Sequence, residues 1–366
     1  MSEKQEPTVS NAFALTGRQW AGLAVFAAAV YLLLPVAWKR IEKLEAGQDY
    51  RIPYELSSDY WLWNRIADQA AATHDTVIVG DSVVWGQYVR PAETLSHYLN
   101  ALEGADRYAN LGLDGAYPLA LAGLIDSYGA GIRGKRVLLQ CNPLWMSSRV
   151  HDFRESEETK LNHLGLVPQF SPALPCYKAE VSRKIGKVVE RNVPFNAWTT
   201  HLQTAYFGSS NIPGWTLEHP YENPLKALTG TLPPSGDELR HEPISWSARG
   251  ITKQNMPWVD LPGSPQWAAF RRLVDLLQQR GNRVMIIVGP FNEHLLTDAS
   301  RAKYAVLKGG IEDWLKERGI PWISPTLLPS EHYGDASHPL SAGYALMAKE
   351  LVTGGFLATA DPKPQR

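Results

Sequence analysis

Apolar positions first separate out one run unlike the rest of the chain. From Trp20 to Trp38 the sequence reads WAGLAVFAAAVYLLLPVAW, 19 residues without a charge, preceded by Arg18 and followed by Lys39 and Arg40. About 20 apolar residues are what a bilayer core requires, and Trp20, Tyr31 and Trp38 include both ends, where aromatic side chains favour the interface. A buried core helix would normally show a polar stripe, and this run has none. A cleavable signal peptide would end in a small-x-small site, which is not evident after it. The expectation is a single membrane anchor over residues 19–38, with a tail at 1–18.

Beyond a polar stretch read as stalk and connector (39–74), apolar runs alternate with amphipathic ones. Strands are predicted at Thr76–Val79, Arg107–Asn110, Arg136–Gln140, Arg283–Val288 and Pro321–Ile323. Helices are predicted at Ala92–Leu102, Tyr117–Tyr128, Gln266–Gln279, Ala302–Arg318 and Leu340–Leu351. In the third of these, Phe270, Leu273, Val274 and Leu277 fall at i, i+3, i+4 and i+7, one helical face. Strands alternating with amphipathic helices predict an α/β domain, a parallel sheet with helices on both faces, over 75–142 and 263–355. Residues 356–366 read as a tail.

The stretch between those halves, 143–262, breaks the rhythm. It holds 13 of the 26 prolines, 5 of the 13 tryptophans and 5 of the 10 histidines. Half the prolines in a third of the length predict a loop-rich insertion, a lid or partner-binding element at one end of the sheet. Its histidines, His151, His163, His201, His219 and His241, lack metal-ligand spacing, so no metal site is expected. Its tryptophans are expected to pack in the core, with sugar stacking as the alternative.

Composition narrows the function classes. Lys plus Arg is 36 and Asp plus Glu 37, a net charge of −1 over 366 residues. A nucleic-acid partner is not expected, because phosphate binding calls for a basic excess. With 44% hydrophobic and 20% charged residues the chain is not disordered, and two cysteines, Cys141 and Cys176, make neither a disulfide scaffold nor a zinc module.

Four segments carry reactive residues: Gly80-Asp81-Ser82 after the first strand, Asn110-Leu111-Gly112-Leu113-Asp114-Gly115 after the second, Cys141-Asn142-Pro143 after the third, and Asp335-Ala336-Ser337-His338-Pro339 before the last helix. Each alone reads as a turn or helix cap. Together they supply a serine, a base and a carboxylate three residues before the base, the set that activates a hydroxyl nucleophile. Pro339 suits the first turn of a helix and would place the Asp–His pair at its start. Pro290-Phe291-Asn292-Glu293-His294 follows the fourth strand; Asn292, Glu293 and His294, with Gly112 and Trp145, are possible substrate-lining residues, although a solvated loop is the commoner outcome for such a segment.

In order and in kind, the four segments resemble the SGNH (GDSL-type) hydrolase superfamily, over about 160 of the 366 residues. The resemblance implies a flavodoxin-like sheet, Ser82 as nucleophile, His338 as base and Asp335 as its orienting partner. It implies an oxyanion hole from the Ser82 and Gly115 backbone N–H groups and the Asn142 side chain, and no cofactor. The third segment, Gln140-Cys141-Asn142-Pro143, departs from the esterases' usual Gly-x-Asn-Asp. With the insertion, that resembles membrane-associated members acting on cell-envelope polysaccharide, often beside a membrane-bound acyltransferase.

The resemblance therefore implies a membrane-anchored esterase or O-acyl(acetyl)transferase acting on extracytoplasmic polysaccharide through an acyl-serine. Two alternatives stay open: a non-catalytic glycan-binding or scaffold subunit, and a cytoplasm-facing lipase or thioesterase. Lys4 and Arg18 lie on one side of the anchor, and Lys39, Arg40, Lys43 and Arg51 on the other. Counted alone these put the bulk of the chain in the cytoplasm; the resemblance puts it outside.

Overall fold

The computed structural model describes residues 15–47 and 49–357. Most of the two expected tails, and the charges at Glu3, Lys4 and Glu6, lie outside the described residues. The chain divides into two compact units at Glu42 and Lys43. The first holds helix α1, Gly17–Ile41, which begins three residues before the apolar run and ends three after it. Thr16 and Gln19 form a capping box at its start, and Lys39 and Arg40 lie in its last turn, where the helix dipole favours cations. At 25 residues it is about 37 Å long, against about 30 Å of bilayer hydrocarbon, so it is long and apolar enough to cross a membrane.

The second unit is an α/β domain. Its strands are β1 (Thr76–Val79), β2 (Tyr108–Asn110), β3 (Arg136–Cys141), β4 (Arg283–Val288) and β5 (Trp322–Ile323). They form one all-parallel sheet in the order β2-β1-β3-β4-β5, with Ile78 opposite both Asn110 and Leu138. TVIV, RVLLQC and RVMIIV are nearly continuous apolar runs because a parallel sheet is covered on both faces. The helices in chain order are α2 (Tyr60–Thr73), α3 (Ser82–Trp85), α4 (Leu95–Glu103), α5 (Pro118–Tyr128), α6 (Val181–Asn192), α7 (Pro194–Tyr206), α8 (Ile212–Glu218), α9 (Pro224–Ala227), α10 (Pro265–Gln279), α11 (Asp298–Glu317) and α12 (Ser341–Thr353).

Helix α5 packs on α10 and α2, and α4 packs on α12. The chain steps outward from β1 to β2, then returns across β1 to β3 and continues to β4 and β5. With right-handed crossovers that reversal sends α4 to one face and α5 and α10 to the other. It also opens a crevice at the carboxyl ends of β1 and β3, the place where ligands bind in such sheets.

Three segments differ from the sequence-based expectation. The stretch 39–74 is no polar stalk throughout: Tyr60, Leu62, Trp63, Ile66, Ala67 and Ala70 of α2 are buried in the main core, while Asp68, Gln69, Ala72 and Thr73 on its other face are exposed. The last helix starts at Ser341, so Pro339 is not in its first turn; Pro339 instead bridges to Tyr333. The insertion 143–262 contains four helices, α6–α9, and Trp198, Trp215, Trp246 and Trp258 within it are buried packing residues.

Candidate active site

Strand β1 ends at Val79, and the chain turns through Gly80 into the single turn of α3. Asp81 caps that turn, its Oδ1 accepting from Val83 N at 2.9 Å, which sets Ser82 at the first helical position. The Ser82 N–H is thus one of the donors that a helix start leaves without an internal acceptor. Ser82 Oγ lies 2.8 Å from His338 Nε2, and His338 Nδ1 lies 2.8 Å from both carboxylate oxygens of Asp335. An ionised carboxylate only accepts, so Nδ1 carries the proton and Nε2 is left as the acceptor of the Ser82 hydroxyl hydrogen. Residues 256 positions apart in sequence thus form a continuous serine–imidazole–carboxylate relay.

The electrostatics of the relay follow from its contacts. Burial works to raise the Asp335 carboxyl; the His338 charge, its hydrogen bond and the N–H groups of Ser337 and His338 outweigh burial and hold it well below the usual carboxylate range. Burial would likewise lower His338, yet the Asp335 carboxylate, with Asp81 and Asp114 farther off, raises it above the ordinary imidazole value. Tyr88 donates its hydroxyl to Asp335 Oδ2 at 3.1 Å, and Arg249, from the insertion, donates to the Tyr88 hydroxyl at 2.9 Å and to the Gly334 carbonyl. Asn292 holds the same loop from behind, Nδ2 to the Asp335 carbonyl and N–H to the Ala336 carbonyl.

Of the two further residues expected to face an oxyanion, which follow β2 and β3, Asn142 meets Asp81, the neighbour of Ser82. Gly115 has φ +68°, which an L side chain rarely adopts, and a Cβ there would meet Asn162 Nδ2 at 2.6 Å. Among the described residues, the N–H groups of Ser82 and Gly115 have no hydrogen-bond partner. Asn142 gives one amide hydrogen to Asp81 Oδ2 at 2.7 Å, and its Oδ1 accepts from Leu144 N; the amide's second hydrogen remains free to donate. Trp145 Nε1 donates to the same Asp81 oxygen at 2.8 Å, so Asp81 orients both groups.

The remaining residues expected to line the site have structural partners. Gly112 lies under α3, its N–H bound by Asn110 Oδ1, and a Cβ there would come within 2.3 Å of Trp85 N. Glu293 begins a short 3-10 turn and its carbonyl accepts from Arg301; His294 Nε2 bonds the Leu328 carbonyl. Trp145 alone of this group stands in contact with the Asp81–Asn142 pair.

Sequence reasoning missed Asp81 as an organiser, although it lies beside Ser82, and it missed Tyr88, which reaches Asp335 across 247 positions of chain, and Arg249, which reaches Tyr88 and Gly334. A cavity of about 950 Å³ lies on the α5 and α10 side, walled by Leu119, Phe153, Leu166, Phe170 and Leu174. None of the relay residues lines it, and its lining holds no serine–histidine pair.

No protein-family model matches the chain, and no curated protein matches it.

Proposed function

We propose that this chain is a membrane-anchored serine acyl-ester enzyme of the SGNH type, an esterase or O-acyltransferase working on extracytoplasmic polysaccharide through an acyl-Ser82 intermediate. The observation that carries the reading is the Ser82–His338–Asp335 relay, with Ser82 Oγ 2.8 Å from His338 Nε2 and Nδ1 2.8 Å from the Asp335 carboxylate. His338 Nε2 takes the Ser82 proton as Oγ attacks the acyl carbonyl, and the Ser82 and Gly115 N–H groups with the Asn142 amide receive the charge on the carbonyl oxygen. The alcohol leaves with that proton, and the acyl group stays on Ser82. Water or a sugar hydroxyl, deprotonated by the same imidazole, then removes it. Water makes the enzyme an esterase and a sugar hydroxyl makes it a transferase. Helix α1, read as a membrane span, keeps the domain at the envelope where such glycans lie.

The test follows acetate release from 4-nitrophenyl acetate and labelling by a fluorophosphonate, with and without an oligosaccharide acceptor. Ser82→Ala is expected to abolish labelling and to lower kcat by about 10⁴-fold or more. Acetyl recovered on the sugar identifies a transferase. Labelling that persists in Ser82→Ala, or an unmodified chain with neither labelling nor turnover, overturns the proposal.

A further inference from the structure

Helix α8 is pinned on one side only. Trp215 is buried, edge-on to Phe207 just past α7 with ring centroids 5.2 Å apart, and stacked on His219 at 4.5 Å. The segment from α8 into α9 leaves four large apolar residues in water: Ile212, Leu217 at 83% exposure, a fully exposed Tyr221, and Leu225 at 70%. Scattered apolar residues are ordinary on a surface, but four within one short, well-anchored segment point to a face that something covers.

The chain itself indicates what covers it. Five residues past α9, Leu232 pairs with Leu44: Leu232 N donates to the Lys43 carbonyl at 3.0 Å and Glu45 N to the Leu232 carbonyl at 3.1 Å. Only Glu42 and Lys43 separate Leu44 from Ile41, the end of α1, and three residues of chain reach about 10 Å at most. The segment carrying the apolar residues is therefore tied to the first residues that follow the apolar helix. Trp38, Lys39, Arg40 and Lys43 at that point are the residue types that favour a headgroup layer.

We propose that Ile212–Leu225 is a membrane-docking face that seats Leu217, Tyr221 and Leu225 in the boundary between lipid headgroups and acyl chains. The proposal rests on the reading of α1 as a membrane span. Glu218 and Glu222 against Lys226 leave no basic excess here, so the face takes a zwitterionic lipid surface by apolar burial and does not require anionic lipid. Docking holds the α/β domain against the bilayer at a second point besides its tether.

The full chain, reconstituted into phosphatidylcholine vesicles, tests this with Leu217→Cys and, separately, Leu225→Cys, each labelled with an environment-sensitive maleimide. Cys141 and Cys176 are buried and do not compete, and Val306→Cys on α11, 78% exposed, is the reference. The labels at 217 and 225 are expected to emit to the blue of the reference and to lose most of their emission to lipids carrying a nitroxide on the acyl chain, while the label at 306 does neither. Labels at 217 and 225 that match the one at 306 overturn the proposal. Blue-shifted labels that lipid nitroxides leave bright mean that a second copy of the chain covers the face, and also overturn it. Alkaline carbonate extraction of the unlabelled chain reads the anchor separately: a retained chain with unquenched labels loses the docking face and keeps the anchor, and an extracted chain loses the anchor.

Discussion

At the residue scale, the proposed chemistry requires that each group of the relay have one role left to fill. Asp335 uses both oxygens on His338 and accepts two backbone N–H groups and Tyr88 as well, so the imidazole is held in a single tautomer. Asp335→Asn removes that constraint and presents the wrong tautomer, and kcat for 4-nitrophenyl acetate is expected to fall by about four orders of magnitude while fluorophosphonate labelling slows in parallel. Tyr88→Phe is gentler. The base works only when neutral, so kcat/KM rises with pH through the His338 pKa, which lies above the ordinary 6.5. Loss of the Tyr88 donor leaves the Asp335 charge less satisfied and its hold on protonated His338 stronger. The rising limb of the pH profile is expected to move to higher pH by about half a unit, equivalent to about 0.7 kcal/mol, with its plateau retained. A limb that stays in place would show that Tyr88 only packs against the ring.

At the scale of elements, α3 is a single turn and takes its position from its neighbours rather than from its own helicity. Gly112 lies beneath it without room for a methyl group. Gly112→Ala is expected to destabilise the domain by about 1–3 kcal/mol in chemical denaturation, and to depress labelling of Ser82 by more than that loss explains, because α3 carries the nucleophile as it shifts. The same scale shows what the sequence reveals and what it conceals. Strands β1, β3 and β4 were legible because buried parallel strands are short apolar runs, and the four reactive segments because each follows a strand or precedes the final helix. Helix α2 was not, since its polar face of Asn64, Arg65, Asp68, Gln69 and Thr73 reads as a stalk, and only the tertiary packing of the opposite face puts it in the core. Pro339 looked like a helix start because proline suits that position, yet its pairing with Tyr333 takes it into the preceding loop. Tyr88 reaches Asp335, and Arg249 reaches Tyr88 and Gly334, through tertiary approach alone, and no local pattern records that.

For the whole molecule, stability should carry the mark of one buried acid. Asp49 joins the segment before α2 to two others: Thr94 and Ser96 at the start of α4, and Asn110 at the end of β2, donate to its carboxylate. Burial raises its pKa from 3.8 to about 7, against the lowering influence of those donors and of Arg51. The folded chain therefore holds a proton between pH 3.8 and about 7 that the unfolded chain releases. That contribution is fully present below pH 3.8 and is lost as pH rises through about 7. Asp49→Asn cannot titrate, so the melting temperature of the parent is expected to fall relative to the variant as pH rises from 4 to 8. A constant difference would assign Asp49 an ordinary carboxylate in the fold.

The order of the relay along the chain has a consequence for biosynthesis. Ser82, Gly115 and Asn142 leave the ribosome first, and Asp335 follows Asn142 by 193 residues. A nascent or prematurely terminated chain can hold Ser82, Gly115 and Asn142 and still lack His338. By the proposed chemistry, such fragments are inert toward esters, and clipping within the final loop silences the enzyme without touching the serine.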